Sequence, residues 1–162
     1  MKPTEARELA LAKAKGPNSR RVLEYSYTMK RILDQAKLPG FVDEQWAPLA
    51  ELVDVDRFER VGNFLEVVHW DDQYVPLLTA WAKATDWNFT IRRLTEGPNY
   101  AIQEMHEYAG YPDRYEEYNS VSVFEFDEAG KIVHRDIYLQ MEMPSAANQA
   151  HQWQLEEVGA KA

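Results

Sequence analysis

A change of hydrophobic period near residue 87 constrains the fold of this chain more than any other feature. Before it, apolar residues recur at helical spacing; after it, they fall in β-branched and aromatic runs cut by turn residues. Four strands are expected, at 88–95 (NFTIRRLT), 100–108 (YAIQEMHEY), 116–126 (EEYNSVSVFEF) and 131–141 (KIVHRDIYLQM). The separators EGPN, AGYPDR and DEAG are all turn signals, so an antiparallel meander follows.

Upstream, TEARELALAKAK (4–15) reads as a short helix or arm that Gly16-Pro17 interrupts. A long helix follows from Ser19, a capping candidate, with Val22, Tyr25, Met29, Ile32 and Leu33 on one face, and Pro39-Gly40 ends it. DEQWAPLAELV (43–53) reads as a second helix with Asp43 as its cap and Trp46, Leu49, Leu52 and Val53 buried; residues 56–62 suit a short strand or an extended link. HWDDQYVPLLTAWAKATDW reads as a third helix, capped by Asp71 or Asp72, with Tyr74, Leu77, Leu78 and Trp81 in a stripe. Pro48 and Pro76 fall in first turns, where proline is tolerated. Helices followed by strands mean α+β: a curved antiparallel sheet forming a cone that the helices close. The expected division is an arm at 1–18, one domain at 19–142 and a tail at 143–162 that packs on a neighbour as an arm or short helix.

The 162 residues, 45% hydrophobic, suffice for one core. A net charge of −9, with no basic tract beyond Arg20-Arg21 and Arg92-Arg93, argues against nucleic acid or an anionic membrane as partner. There is no cysteine, so thiolate chemistry and disulfides are excluded. The N-terminus has no long apolar run, so neither a signal peptide nor a membrane span is expected, and the cytoplasm is the default location. His69, His106, His134 and His151 show no metal-binding spacing, and no glycine-rich phosphate loop occurs; neither metal nor cofactor is expected.

The chemistry-bearing candidates lie on the strands. In KIVHRDIYLQ, strict alternation puts Val133, Arg135, Ile137 and Leu139 on one face and Ile132, His134, Asp136, Tyr138 and Gln140 on the other. Periodicity alone leaves open whether the second face meets water or lines a pocket. In the strand at 100–108, Ile102, Glu104 and His106 share one face and Gln103, Met105 and Glu107 the other, and neither is clean. His106 with Glu104 is the better catalytic pair by type, with Glu107 as runner-up. Tyr25 and Tyr27 could send a phenol inward. Phe58, Trp81 and Phe124 could form an aromatic wall, and Arg60 could hold an anion.

The segment SVSVFEFDEAGKIVHRDIYLQ, with its D-x-x-G-K-I turn, resembles the last hairpin of the nuclear transport factor 2-like superfamily, particularly its SnoaL-like members. The upstream order agrees: a long aromatic-containing helix, a short helix with Trp46 and a third helix before the meander. The resemblance spans about residues 19–142 and implies a hollow α+β cone, a small-molecule site within it and a homodimer. In epoxide-hydrolase-type relatives an Arg-Asp pair on the final strand sends its carboxylate inward. By that match Asp136, and with it His134 and Tyr138, would face the cone. Glu104 lies nearest the second carboxylate of those relatives, although their arginine-x-aspartate pattern is absent. The implied activity is a cofactor-independent lyase, by dehydration or retro-aldol cleavage, on an oxygenated and aromatic substrate. Asp136 or Glu104 would take the proton, His134 or His106 relay it, and Tyr138 or Tyr27 steady the anion. An isomerase, an epoxide hydrolase or a non-catalytic binding module are the alternatives; an outward-turned polar face on the last strand would favour the module.

Overall fold

The structure is a computed structural model in which residues 1–141 are described; the expected tail at 143–162 lies outside the described residues. Helices α1 (Arg7–Leu11), α2 (Pro17–Gln35), α3 (Ala47–Ala50) and α4 (Val75–Ala84) pack with six strands: β1 (Glu59–Val61), β2 (Val67–His69), β3 (Asp86–Glu96), β4 (Tyr100–Gly110), β5 (Tyr115–Phe126) and β6 (Ile132–Gln140). They form one curved, unclosed sheet in the order β2-β1-β6-β5-β4-β3. The meander β3 to β6 is antiparallel as expected, whereas β1 runs parallel to β6, so the sheet is mixed. The short strand at 67–69, where only a helix was expected to begin, extends it by one more hairpin.

Helix starts differ from the capping expectations. Pro17 occupies the first turn of α2, and Glu96, from the end of β3, does the capping: its Oε2 accepts the Ser19 N–H at 3.0 Å. A Cβ at position 16 would lie 2.1 Å from Glu96 Oε1, so this approach requires Gly16. Asp43 lies inside a 3-10 turn (Asp43–Trp46), and Gln45 Oε1 accepts the Val42 N–H instead. Asp71 and Asp72 lie inside a π-helical turn (Trp70–Tyr74) that leads into α4, and neither makes a side-chain capping bond. The third helix also stops at Ala84, earlier than expected, because Asp86 and Trp87 already belong to β3.

The D-x-x-G-K-I turn has a local cause. Asp127 Oδ1 accepts the N–H groups of Ala129 and Lys131, each at 2.9 Å, and Gly130 takes φ +77°, which favours glycine. Two register slips then decide which side chains face the helices: one at Arg92 in β3 and one at Val133 in β6, each placing an extra residue in its strand. As a result Ile132 and Arg135, three apart, are both buried. The inward face carries Phe89, Ile91, Leu94, Met105, Phe124 and Ile132, covered by Leu23, Tyr25 and Ile32 of α2. Residues 4–5 lie along the free edge of β3: Glu5 N donates to Phe89 O at 2.8 Å and Ile91 N to Glu5 Oε2 at 3.0 Å. The expected arm thus covers an edge strand, the part of a sheet most open to unwanted pairing. No helix among the described residues is long and apolar enough to cross a membrane.

Candidate functional site

The cone holds an open-mouthed pocket of about 280 Å³. Met29 of α2, Leu77, Leu78 and Trp81 of α4, and Ile137 and Leu139 of β6 form its apolar wall. Five polar side chains converge on it: Arg60, Tyr74, Glu107, Tyr118 and Arg135, with Tyr111 and Glu116 beside them. An apolar pocket with a few convergent polar groups is the usual form of a small-molecule site.

Glu107 and Tyr118 are direct partners across the β4–β5 ladder. Glu107 is buried, and Trp87 Nε1 donates to its Oε2 at 2.5 Å, which fixes the carboxylate. Burial first, and then the charge of Glu107, push the Tyr118 phenol far above its ordinary value. Tyr118 therefore stays protonated and can act as a donor. Arg135 lies above the aromatic floor of Phe124 and Tyr25, its guanidinium carbon 5.1 and 5.6 Å from their ring centroids. It donates to Ser122 Oγ and, at 3.3 Å, to Tyr74 OH, which shares a 2.7 Å hydrogen bond with Tyr25 OH.

The inward orientation expected for the last strand is overturned. The slip at Val133 and the pairing of Arg135 with buried Phe124 turn Arg135 inward, so Asp136, His134 and Tyr138 lie on the outer face of the sheet. There the structure does bring two of them together. His134 Nδ1 lies 2.9 Å from Glu59 Oε1, and its Nε2 lies 3.0 Å from Asp136 Oδ1. Burial opposes the charged imidazole, but Asp136 and then Glu59 outweigh it and hold the His134 pKa above its ordinary value. Tyr138 is 58% exposed.

The pair Glu104 and His106 is also on the outer face, because the inward parity of β4 is that of Ala101, Gln103, Met105 and Glu107. Glu104 is bound by Arg93, while His106 sits between Asn119 Oδ1 and Glu117 Oε2, each at 3.1 Å. Tyr27 donates its hydroxyl to the Glu5 carbonyl at 2.9 Å and packs edge-on against Phe89, beneath the arm and away from the cavity. Of the other candidates, Arg60 and Trp81 line the cavity, Tyr25 and Phe124 lie beneath Arg135, and Phe58 is core, stacked on Tyr74 at 5.3 Å. Among the described residues no cluster of His, Asp and Glu is arranged to hold a metal ion.

Sequence reasoning left Glu107 second and passed over Tyr118, Tyr74 and Arg135. A signal for two of them exists in the residues. Small or apolar Ala101, Met105 and Ala109 share the parity of Glu107, and Ser120, Ser122 and Phe124 share that of Tyr118.

No protein-family model matches the sequence, and no curated protein matches it. Solved structures do match its fold. A candidate SnoaL-like polyketide cyclase from Shewanella denitrificans gives a TM-score of 0.60 at 9% identity, over 85% of this chain and 96% of that one. A candidate isomerase from Rhodopseudomonas palustris gives 0.59 at 13% identity, over 74% and 89%. An epoxide hydrolase of the LEH-like type from M. tuberculosis gives 0.51 at 15% identity, over 70% and 84%. The chain has the nuclear transport factor 2-like fold that its final hairpin resembles, with SnoaL-like proteins among its structural neighbours.

Proposed function

We propose that the protein is a cofactor-independent lyase that dehydrates, or cleaves by retro-aldol reaction, a small oxygenated substrate with one or two rings. The observation that carries this is the pairing of Glu107 with Tyr118 inside the cone: a fixed buried carboxylate beside a phenol that keeps its proton. In a dehydration, Glu107 takes the proton next to a carbonyl, the carbon–oxygen bond at the β position breaks, and the hydroxyl, hydrogen-bonded by Tyr118, leaves as water with the proton that Glu107 took. Delivery of that proton returns Glu107 to its carboxylate. Arg135, held by Tyr74, faces the charge that develops. The volume of about 280 Å³ is at the lower end of ligand pockets and suits one or two rings better than four. Turnover of one- and two-ring β-hydroxy ketones, followed by enone absorbance, tests the reading. Glu107→Gln is expected to lower it by about 10²- to 10⁴-fold, and undiminished turnover would end the proposal.

An isomerase would use the same proton abstraction, and a product that retains the oxygen identifies it. Epoxide hydrolysis loses support, since Asp136, the carboxylate that the resemblance supplied, is on the other face. The outward turn of His134 and Asp136 favours a non-catalytic binding module as second reading. Tight ligand binding with no turnover by wild-type protein would select it. A homodimer through the outer sheet face also remains a proposal, supported by exposed Tyr138 opposite Val121. Light scattering after gel filtration is expected to give twice the chain mass, and Tyr138→Asp to reduce it to one.

A further inference from the structure

Arg60 and Arg135 are register partners where β1 runs parallel to β6, and both side chains line the cone. Adjacent strands lie about 4.8 Å apart, and like charges directly opposite one another are destabilising. Among the described residues Arg60 has one carboxylate, Glu66 at 3.2 Å, on the rim. Arg135 has none within 4.0 Å among the described residues, although it is only 8% exposed. Its guanidinium bonds are to neutral hydroxyls: Nε and Nη2 donate to Ser122 Oγ at 3.3 and 3.1 Å, and Nη1 to Tyr74 OH at 3.3 Å. Of the five N–H donors of arginine, one on each terminal nitrogen is left without a protein acceptor among the described residues. A buried cation with unused donors at the wall of a cavity is costly unless an anion completes it.

We propose that Arg60 and Arg135 together hold the carboxylate of a one- or two-ring organic acid. This deepens the acid–base reading and shares its cone. Guanidinium forks match a planar carboxylate in geometry. A dianion such as a phosphate monoester fits less well, because Glu107 and Glu116 line the same cavity and repel a second negative charge. The arrangement also orients the ligand: the acid end goes to the arginines, and the ring and neighbouring carbons to Glu107, Tyr118 and the Trp81 wall.

The test is binding of 2-naphthoate and of its neutral isostere 2-naphthamide at pH 7 and low salt, read by calorimetry and tryptophan fluorescence. Wild-type protein is expected to bind the acid at least about ten-fold more tightly than the amide, in line with one charge-assisted bidentate contact. Arg60→Gln and Arg135→Gln are each expected to lose most of that preference. Arg60→Gln decides if Arg135→Gln does not fold, since Arg60 is at the rim. No binding of either probe, equal binding of both, or an unchanged preference in Arg60→Gln overturns the proposal. Glu107→Gln separates the two readings: it is expected to keep or strengthen naphthoate binding, whatever it does to turnover.

Discussion

On the outer face of β6, His134 has a carboxylate at each ring nitrogen; one residue along, on the inner face, Arg135 has only hydroxyls as hydrogen-bond partners among the described residues. The same contrast recurs on β4. Glu104, outside, is bound by Arg93, whereas Glu107, inside, has an indole N–H and a phenol as neighbours and no arginine or lysine within 4.0 Å among the described residues. Both faces carry acids, bases and phenols. Water pays for the outer ones, and opposite charges complete them into pairs of small energetic weight. The inner ones are removed from water without full pairing, which costs stability and leaves donors and acceptors for a ligand. Chemistry is therefore argued from unsatisfied groups and not from residue type alone.

The largest expected break between the faces is in turnover. Glu107→Gln should lower it by about 10²- to 10⁴-fold, while Glu104→Gln, which loses only the outer pair with Arg93, should stay within about two-fold. Equal losses in the two variants, measured on the same β-hydroxy ketone, would erase the distinction. Next comes packing. Phe124 is fully buried under Arg135 and against Tyr25, so Phe124→Ala should cost about 3–5 kcal/mol. Its outward neighbour Val123 is half-buried, and Val123→Ala should cost about 1 kcal/mol in a urea melt.

Legibility in the sequence follows the same division. The meander was readable because turn chemistry and β-branched runs are local: Asp127 and Gly130 build the last hairpin from their own side chain and backbone. The long helix was readable because Val22, Tyr25, Met29 and Ile32 repeat at its period, and all four are buried. The direction of a strand face is not local. One extra residue at Val133 breaks the alternation, so buried Ile132 shares its face with Arg135 and not, as counting by twos had it, with His134 and Asp136. The Arg-Asp match to epoxide-hydrolase-type relatives, which alone gave Asp136 its inward direction, failed because Arg135, paired with buried Phe124, takes the inward place. Long-range capping was equally hidden, since Glu96 reaches Ser19 across 77 positions.

Arg135 gives a third, smaller contrast. A buried cation held only by hydroxyls is a group kept for binding at the expense of stability. Arg135→Met is expected to leave the unliganded fold as stable as wild type or up to about 2 kcal/mol more stable in urea. It should also abolish the rise in melting temperature that 2-naphthoate gives the wild type. A loss above about 2 kcal/mol would assign Arg135 to the architecture instead.

The smallest effect belongs to the outer face. Asp136 and Glu59 hold the His134 pKa above its ordinary value of about 6.5, so the folded state binds the proton more tightly than the unfolded chain. The stability this supplies is complete below about pH 6.5 and is lost as pH rises through the folded value. Its size should stay below about 1 kcal/mol, because Glu59 is open to solvent and screened. Urea midpoints at pH 6 and pH 9 are expected to differ more in wild type than in His134→Gln, with wild type losing the larger share on the alkaline side. The pH optimum of the enone-forming reaction should be the same in both proteins, since His134 lies across the sheet from the cavity. A displaced optimum in His134→Gln would connect the two faces and return His134 to the chemistry.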